Sequence, residues 1–574
     1  MAVLAASAAA VPGLWGSGMR PAHAPHAMVA SVHELASQAG VEMMRAGGNA
    51  VDAAVATGFT LAVVHPQAGN LGGGGFLLLR MASGETHFVD FREKAPAAAT
   101  RDMYLDAQGH IIKDASTVGY RAIAVPGSVA GLVYAQKKWG KLPLERVMAP
   151  AIQFAREGFA LSYEDARSFR DPDYHLGEFA ESKRIFQRDG NFYQAGEIFR
   201  QPELAGTLER IAKDPDDFYR GKLAQELAAA VHKGGGLMTA ADLAAYEVKE
   251  REPVRGSYRG YEIIGAPPPS SGGIALIEIL NILEGYDLHR LGGRSADSMH
   301  LTAEAFRRAF FDRAEFLGDP DFATIPVAQL IDKKYAAAWR ESLNPAHASA
   351  SAELHRPAFG ELDRYAKKRP RPREHVNTTH YSVVDAEGNA VAVTTTLNDS
   401  FGSAVTAEGL GFLLNNEMDD FTSKPGVPNL YGLVQGPANA IGGGKRPLSS
   451  MMPTMVTKDG KLFLVLGSPG GSTIITTVAN ILMGVVDYGM NIQEAVNAPR
   501  FHHQWLEDAI YLERGRFSPD TLRLLEARGH KLRSQAPWGA QDLWGDGECI
   551  EIDLKTGERL GASDARNNGK AVGY

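Results

Sequence analysis

One junction constrains the fold of this chain more than any other. The segment Lys367–Arg373, "KKRPRPR", carries five positive charges and two prolines and has no apolar periodicity. Such a run is expected to be exposed and irregular. It is followed within a few residues by "TTHYSVVDAEGNAVAVTTTLN", beginning at Thr378. Here two β-branched runs flank a turn with Gly388 at its tip, which reads as an apparently buried β-hairpin. A solvated linker running directly into buried strands marks a boundary at residue 378. A targeting or phosphate-binding patch is the alternative use of the basic run.

The 574 residues exceed what one simple core usually serves, so either several domains or one large multilayer sheet fold is expected. A formal charge of −8 argues against non-specific attraction to nucleic acid or an anionic membrane. The single cysteine, Cys549, excludes an intramolecular disulfide, and no Cys/His ladder has zinc spacing. The opening "MAVLAASAAAVPGLWGSGM" is apolar and rich in small side chains but lacks a positive leading region, so residues 1–27 fit either a signal-like segment or a disordered tail. The longest apolar run elsewhere, "VDAAVATGFTLAVVH", is too short to span a bilayer.

That run is predicted to form the second of two helices joined at Gly47-Gly48, with Asn49 as its N-cap and Pro66 ending it. Being apolar nearly all round, it belongs to a buried layer. Strands are predicted in "GGGFLLLRM" and "ETHFVDFREKAP", then a helix-rich middle to about residue 370, then strands and glycine loops from Thr378.

A threonine at such a boundary has a specific chemical possibility. Its hydroxyl is a poor nucleophile until a base takes the proton, and an N-terminal threonine carries that base as its own α-amine, with a pKa of about 7.7 to 8. Thr378 is internal, so the Asn377–Thr378 bond would first have to be cut, by attack of the same hydroxyl on the preceding carbonyl. The other reading is two threonines that merely start a strand.

The motifs "TTHYSVVD", "GNAVAVTTTLN", "LLNNEMDDF", "KRPLSSMMPT" and "GSPGGS" together resemble the small subunit of the γ-glutamyltransferase (γ-glutamyl transpeptidase) family, within the N-terminal nucleophile hydrolases. "GGNAVDAAVA", "HPQAGNLGGGGF", "FREKAP", "PPPSSGG" and "LGDPDF" resemble its large subunit, so the likeness runs from about Met28 to "GASDAR". It implies an α+β fold, a four-layer αββα sandwich formed as a single large domain by two autoprocessed subunits, residues 28–377 and 378–574. It implies γ-glutamyl hydrolysis and transfer without cofactor or metal. Glutathione and other γ-glutamyl compounds would be donors, and water, amino acids or peptides acceptors, with no nucleic acid and no membrane span.

Carried over residue by residue, the resemblance makes Thr378 the nucleophile and Thr396 the hydroxyl supporting its new amino terminus. Gly470 and Gly471 become the oxyanion turn. Arg92, Ser449 and Ser450 are implied for the α-carboxylate, and Asn398, Glu417 and Asp420 for the α-ammonium. Glu417 stands where some bacterial members carry glutamine, and either side chain can accept from an ammonium. "TSKPGVPNLYGLVQG" resembles a lid loop with Tyr431 as its gate residue. The bacterial likeness implies a periplasmic or secreted protein, or a cytoplasmic one if the tail is not a working signal.

Other features read as structural. Gly72–Gly75 lack the strand–helix context of a dinucleotide site and point to close backbone packing. The His502-His503 pair has no carboxylate cluster following it. "PPPSSGG" reads as a rigid turn near the site. A cephalosporin acylase taking a glutaryl chain is the alternative enzyme, disfavoured by the ammonium-binding set. An unprocessed protein that binds γ-glutamyl peptides is the alternative of another class.

Overall fold

The computed structural model describes residues 19–357, 378–424, 426–537 and 544–574. The basic linker and Asn377, and with them the proposed scissile bond, lie outside the described residues, as does most of the N-terminal tail. Ala22–Ala24, counted with that tail on sequence grounds, is instead an edge strand paired with Arg559–Ala562.

Two seven-stranded sheets, antiparallel throughout, form the middle of the molecule. The predicted hairpin forms as Thr378–Val384 and Ala390–Thr396, every residue of both strands buried. Strand alternation sends successive side chains to opposite faces. Val391 and Val393, with Leu77 and Leu79 of the neighbouring strand Gly74–Arg80, enter a core shared with the helices of the first half. Ala390 and Ala392, with Phe76 and Leu78, face a second core that contains the other sheet and the helices Gly272–Leu283, Ala296–Phe316 and Thr473–Val486. Each valine or leucine so buried contributes about 1.5–3 kcal/mol. The order is helices, sheet, sheet, helices: the expected four-layer α+β sandwich.

The predicted helix pair is present as Glu34–Arg45 and Ala50–Val64. Asn49 caps the second in a reciprocal capping box with Asp52, and all fifteen of its residues are buried. Gly58 lets it lie close on the hairpin, since a Cβ there would come within 2.5 Å of the Tyr381 hydroxyl. Gly72–Gly75 serve close packing as read: a Cβ at Gly73 would meet the Thr396 carbonyl at 2.0 Å, and one at Gly75 the Thr394 carbonyl at 2.3 Å.

The boundary at residue 378 does not separate two folding units. Met28–Ser31 from the first half lies between Thr378–Val384 and the C-terminal strand Lys570–Gly573 of the second, and Gly74–Arg80 pairs with Ala390–Thr396. The other sheet interleaves the halves in the same way. A single interruption before Thr378 would leave both pieces held by shared sheets and cores.

Candidate active site

Register brings the first pair of residues together. Thr378 opens its strand directly opposite Thr396, the last residue of the partner strand, and their hydroxyls are 3.3 Å apart. The Thr396 hydroxyl also accepts the Asn398 amide N–H at 2.8 Å. Both threonines are nearly fully buried, yet both line a narrow cavity at the end of the sheet.

The same cavity is lined by Arg92, Asn398, Glu417, Asp420, Tyr431, Ser449, Ser450 and Gly471. Eleven side chains or turns named from the sequence are thus scattered over some 380 residues and all but one meet here. The exception is Gly470, one residue behind the lining, packed against Gly545. Gly470 and Gly471 have φ of +127° and +52°, and their turn leads into the helix Thr473–Val486, with the Thr473 hydroxyl donating to the Gly470 carbonyl at 2.8 Å. The left-handed backbone requires glycine, and the turn places a helix N-terminus beside Thr378.

"PPPSSGG" is more than a nearby turn. Ser449 N–H donates to Pro269 O at 2.9 Å, and Ser271 donates to Ser449 O through both its amide (2.8 Å) and its hydroxyl (2.7 Å). The segment is the brace under Ser449 and Ser450. On the opposite side Tyr431 donates its hydroxyl to the Asn398 carbonyl at 2.8 Å and to the Asn398 side-chain oxygen, while its own carbonyl accepts from Gln504 at 3.1 Å. These bonds tie the Tyr431 loop to Asn398 on one side and to Gln504 on the other. A separate groove of about 440 Å³ adjoins the cavity, and Leu433 lines both spaces.

The charged groups are arranged around Arg92. Its Nη1 donates to Glu417 and, at 3.3 Å, to Glu93; Nη2 donates to Asp420 and, at 3.5 Å, to Leu448 O; Nε donates to Pro447 O at 3.3 Å. The residues implied for opposite ends of a zwitterion therefore hold one another. Burial disfavours the Arg92 charge, but Glu417, Glu93 and Asp420 more than offset this and raise its pKa. Burial pushes Glu417 well above the usual carboxylate range and Glu93 to about 7, with Arg92 opposing in both cases. Asp419, on the groove side, is raised by burial to about 6.

Two residues of this site were not singled out from the sequence. Glu93 adjoins Arg92 in "FREKAP", and that adjacency was the only available signal. Arg313 lines the cavity from the long helix Ala296–Phe316, where it read as one cation among several. His502 and His503 are engaged by protein groups: His502 lies 2.8 Å from Thr476 Oγ1 and 2.9 Å from Gln504 Oε1, and His503 Nδ1 accepts from Trp505 N–H at 3.1 Å.

The model of the family described as gamma-glutamyltranspeptidase matches residues 36–574. The chain belongs to the γ-glutamyltranspeptidase family. It is 50% identical over 551 residues to a glutathione hydrolase proenzyme of Escherichia coli strain K12, covering 95% of this chain and 91% of that one. It is 49% identical over 560 residues to another of Pseudomonas sp. strain A14, covering 96% and 95%. Among solved structures, a cephalosporin acylase from Bacillus halodurans superimposes with a TM-score of 0.82 at 26% identity, covering 99% of both chains. This γ-glutamyltranspeptidase-family chain has, among the described residues, no helix long and apolar enough to cross a membrane.

Proposed function

We propose that the protein is a γ-glutamyl transpeptidase and glutathione hydrolase, made as one chain that cuts itself between Asn377 and Thr378. The observation that carries this reading is the convergence of the Thr378–Thr396 hydroxyl pair with an oppositely charged, partly unsatisfied set of groups in one cavity. Glu417 Oε2 is a buried acceptor and Arg313 Nη1 a buried donor, each without a partner among the described residues. A small zwitterion satisfies both, and the free end of a γ-glutamyl group is one.

In processing, Thr378 Oγ attacks the Asn377 carbonyl, the peptide nitrogen leaves as the Thr378 α-amine, and water opens the resulting ester. The freed amine then takes the hydroxyl proton while Thr396 orients it. In turnover the hydroxyl attacks the γ-carbonyl of the donor. The oxyanion forms against the Gly470–Gly471 turn, where each donor is worth about 3 kcal/mol to the transition state. The leaving amine, cysteinylglycine when the donor is glutathione, takes the proton back. Water or an acceptor amine resolves the γ-glutamyl ester and restores the threonine.

In this reading Arg92, Ser449 and Ser450 serve the α-carboxylate, Asn398, Glu417 and Asp420 the ammonium, and Tyr431 closes the site. Residues 28–377 become the large subunit and 378–574 the small one. The protein works in the periplasm or is secreted, with the N-terminal tail as its export segment. The likeness to a cephalosporin acylase supports a second reading with a glutaryl donor. It leaves Glu417, Asp420 and Asn398 without an ammonium to bind.

Mass measurement of the purified protein beside Thr378→Ala tests the processing: two fragments are expected from the first and one uncut chain from the second. An intact wild-type chain that still hydrolyses γ-glutamyl anilide would overturn the mechanism. Faster hydrolysis of a glutaryl than a γ-glutamyl anilide would favour the acylase.

A further inference from the structure

The end of the strand Ala390–Thr396 is gripped from behind by a polar side chain that the proposed chemistry does not use. Asn70 lies between the buried helix Ala50–Val64 and the strand Gly74–Arg80, and it is only 5% exposed. Its Nδ2 donates to Thr396 O at 2.9 Å, to Ala68 O at 2.8 Å and to Thr395 Oγ1 at 3.2 Å. Its Oδ1 accepts the Gly73 N–H at 3.0 Å and the Ser128 hydroxyl at 2.5 Å. Both ends of the amide are engaged.

The partners come from separate segments of the chain. Ser128 opens the helix Ser128–Trp139, and the Gly127 and Ser128 amides donate to Gly73 O at 2.7 and 2.9 Å. Thr395 donates its hydroxyl to Gly74 O at 2.8 Å. Thr396 pairs with Gly74 on this side and with Thr378 on the other. A Cβ at Gly73 would come within 2.7 Å of Asn70 Oδ1, so the loop closes tightly on the amide.

Alternation along the strand gives this grip its consequence. Thr395 turns its hydroxyl into the network, so Thr396 turns its own to the opposite face, toward Thr378 Oγ1 at 3.3 Å and the Asn398 N–H at 2.8 Å. Asn70 is not among the residues lining the cavity and does not touch substrate. It fixes the carbonyl, and so the peptide plane, of the residue that does the supporting. Two hydroxyls acting on one proton tolerate little error, since a misplacement of about 1 Å can cost about 10²-fold in rate.

We infer that Asn70 is a positioning residue for both self-cleavage and turnover, acting through Thr396 to hold the hydroxyl pair in register. This rests on Thr378 being the nucleophile and Thr396 its support. Both reactions use the same Thr378 oxygen, so one defect slows both. Asparagine suits the place because its amide offers N–H groups to the strand and an oxygen to Gly73 and Ser128 at once.

The test compares wild type with Asn70→Asp, Asn70→Ala and Ser128→Ala. Asn70→Asp keeps the shape and the oxygen used by Gly73 and Ser128 but replaces the N–H donors, so it isolates the grip on the strand. Cleavage before Thr378 is timed by mass measurement; kcat and KM are then measured per processed chain with γ-glutamyl p-nitroanilide, and melting temperature alongside. For Asn70→Asp the expected result is cleavage slowed about tenfold or more and kcat lowered about 10²-fold, with KM within about threefold. Asn70→Ala is expected to lose at least as much. Ser128→Ala leaves the donors in place and is expected to lower kcat about threefold; should neither Asn70 variant fold, an unchanged kcat there overturns the inference. So does an Asn70 variant that melts lower yet cleaves and turns over at the wild-type rate, or one whose loss lies in KM. A wild-type chain that stays uncut and inert towards γ-glutamyl anilide overturns the proposed function and this inference together, whereas a processed, active wild type matched by Asn70→Asp overturns the inference alone.

Discussion

Two buried ionic clusters in this molecule look alike in composition and differ in what they can do. Around Arg92, three carboxylates share one guanidinium at the rim of a cavity. Around Glu304, on the long helix, Arg307 and Arg308 share one carboxylate, which also accepts Ser349 N–H at 3.1 Å; Arg307 reaches on to Asp508. His300 and His530 complete that second cluster, ring nitrogens 2.7 Å apart, with the other His300 nitrogen on the Asn344 carbonyl at 2.8 Å. These two imidazoles and Glu304 lie close enough to hold a metal ion, yet each already has protein partners.

The electrostatics separate the clusters. Burial would raise Glu304, but Arg307 and Arg308 bring it down to about 2, whereas Glu93 beside Arg92 rises to about 7 and Glu417 higher still. One cluster is closed and internally balanced; the other has surplus negative charge on one side and an idle guanidinium on the other. Burial of charge marks neither function nor stability by itself. Unsatisfied groups facing a cavity do mark a site.

The strongest way to break this comparison is to remove one cation from each cluster. Arg92→Met leaves three buried carboxylates without their shared partner and should cost about 3–5 kcal/mol in a denaturant titration. Arg307→Met leaves Glu304 with Arg308 and should cost less, with activity retained; equal costs would contradict the distinction. Next, Gly470→Ala forces a Cβ into a left-handed turn and within 2.6 Å of Thr473 Oγ1. It should lower kcat by about 10²-fold, as losing one oxyanion donor does, with KM little changed. An unaltered kcat would detach the turn from the chemistry.

Stability against pH should differ in sign between the regions. Burial lowers His530 to about 3 and His503 to about 4, below the ordinary 6.5, so the neutral rings are favoured in the fold. Their contribution is complete above pH 6.5 and is lost as pH falls toward 4, by about 2 kcal/mol per imidazole at pH 5. Glu93 is shifted the other way, from 4.5 to about 7. Its contribution is complete below pH 4.5 and is lost as pH rises through 7. His530→Gln should flatten the acid limb of a melting-temperature profile and Glu93→Gln the neutral limb, and the reverse assignment would refute the reading. Smallest is Tyr431→Phe, which removes the latch to Asn398. It should cost about 1 kcal/mol of closure, seen as a KM rise of a few-fold with kcat nearly unchanged.

The sequence alone determined much of this. Strand alternation around "AEGN" fixes the hairpin, and its register follows from the turn, so the Thr378–Thr396 pairing was implicit in local spacing. Helix capping at Asn49 and the apolar run after it were legible for the same reason: neighbours a few residues apart dictate them. Long, distinctive motifs carried the remaining named groups of the site.

What the tertiary structure alone decided is how those groups are satisfied. That Arg92 is fully engaged by Glu417, Asp420 and the carbonyls of Pro447 and Leu448, that Arg313 reaches Ser450, and that "PPPSSGG" braces Ser449 all depend on contacts between residues more than a hundred positions apart. So does the interleaving of the two halves in shared sheets. Local pattern constrains only the near neighbours of a residue, whereas the charge state and free valence of a buried group are set by everything that folds against it.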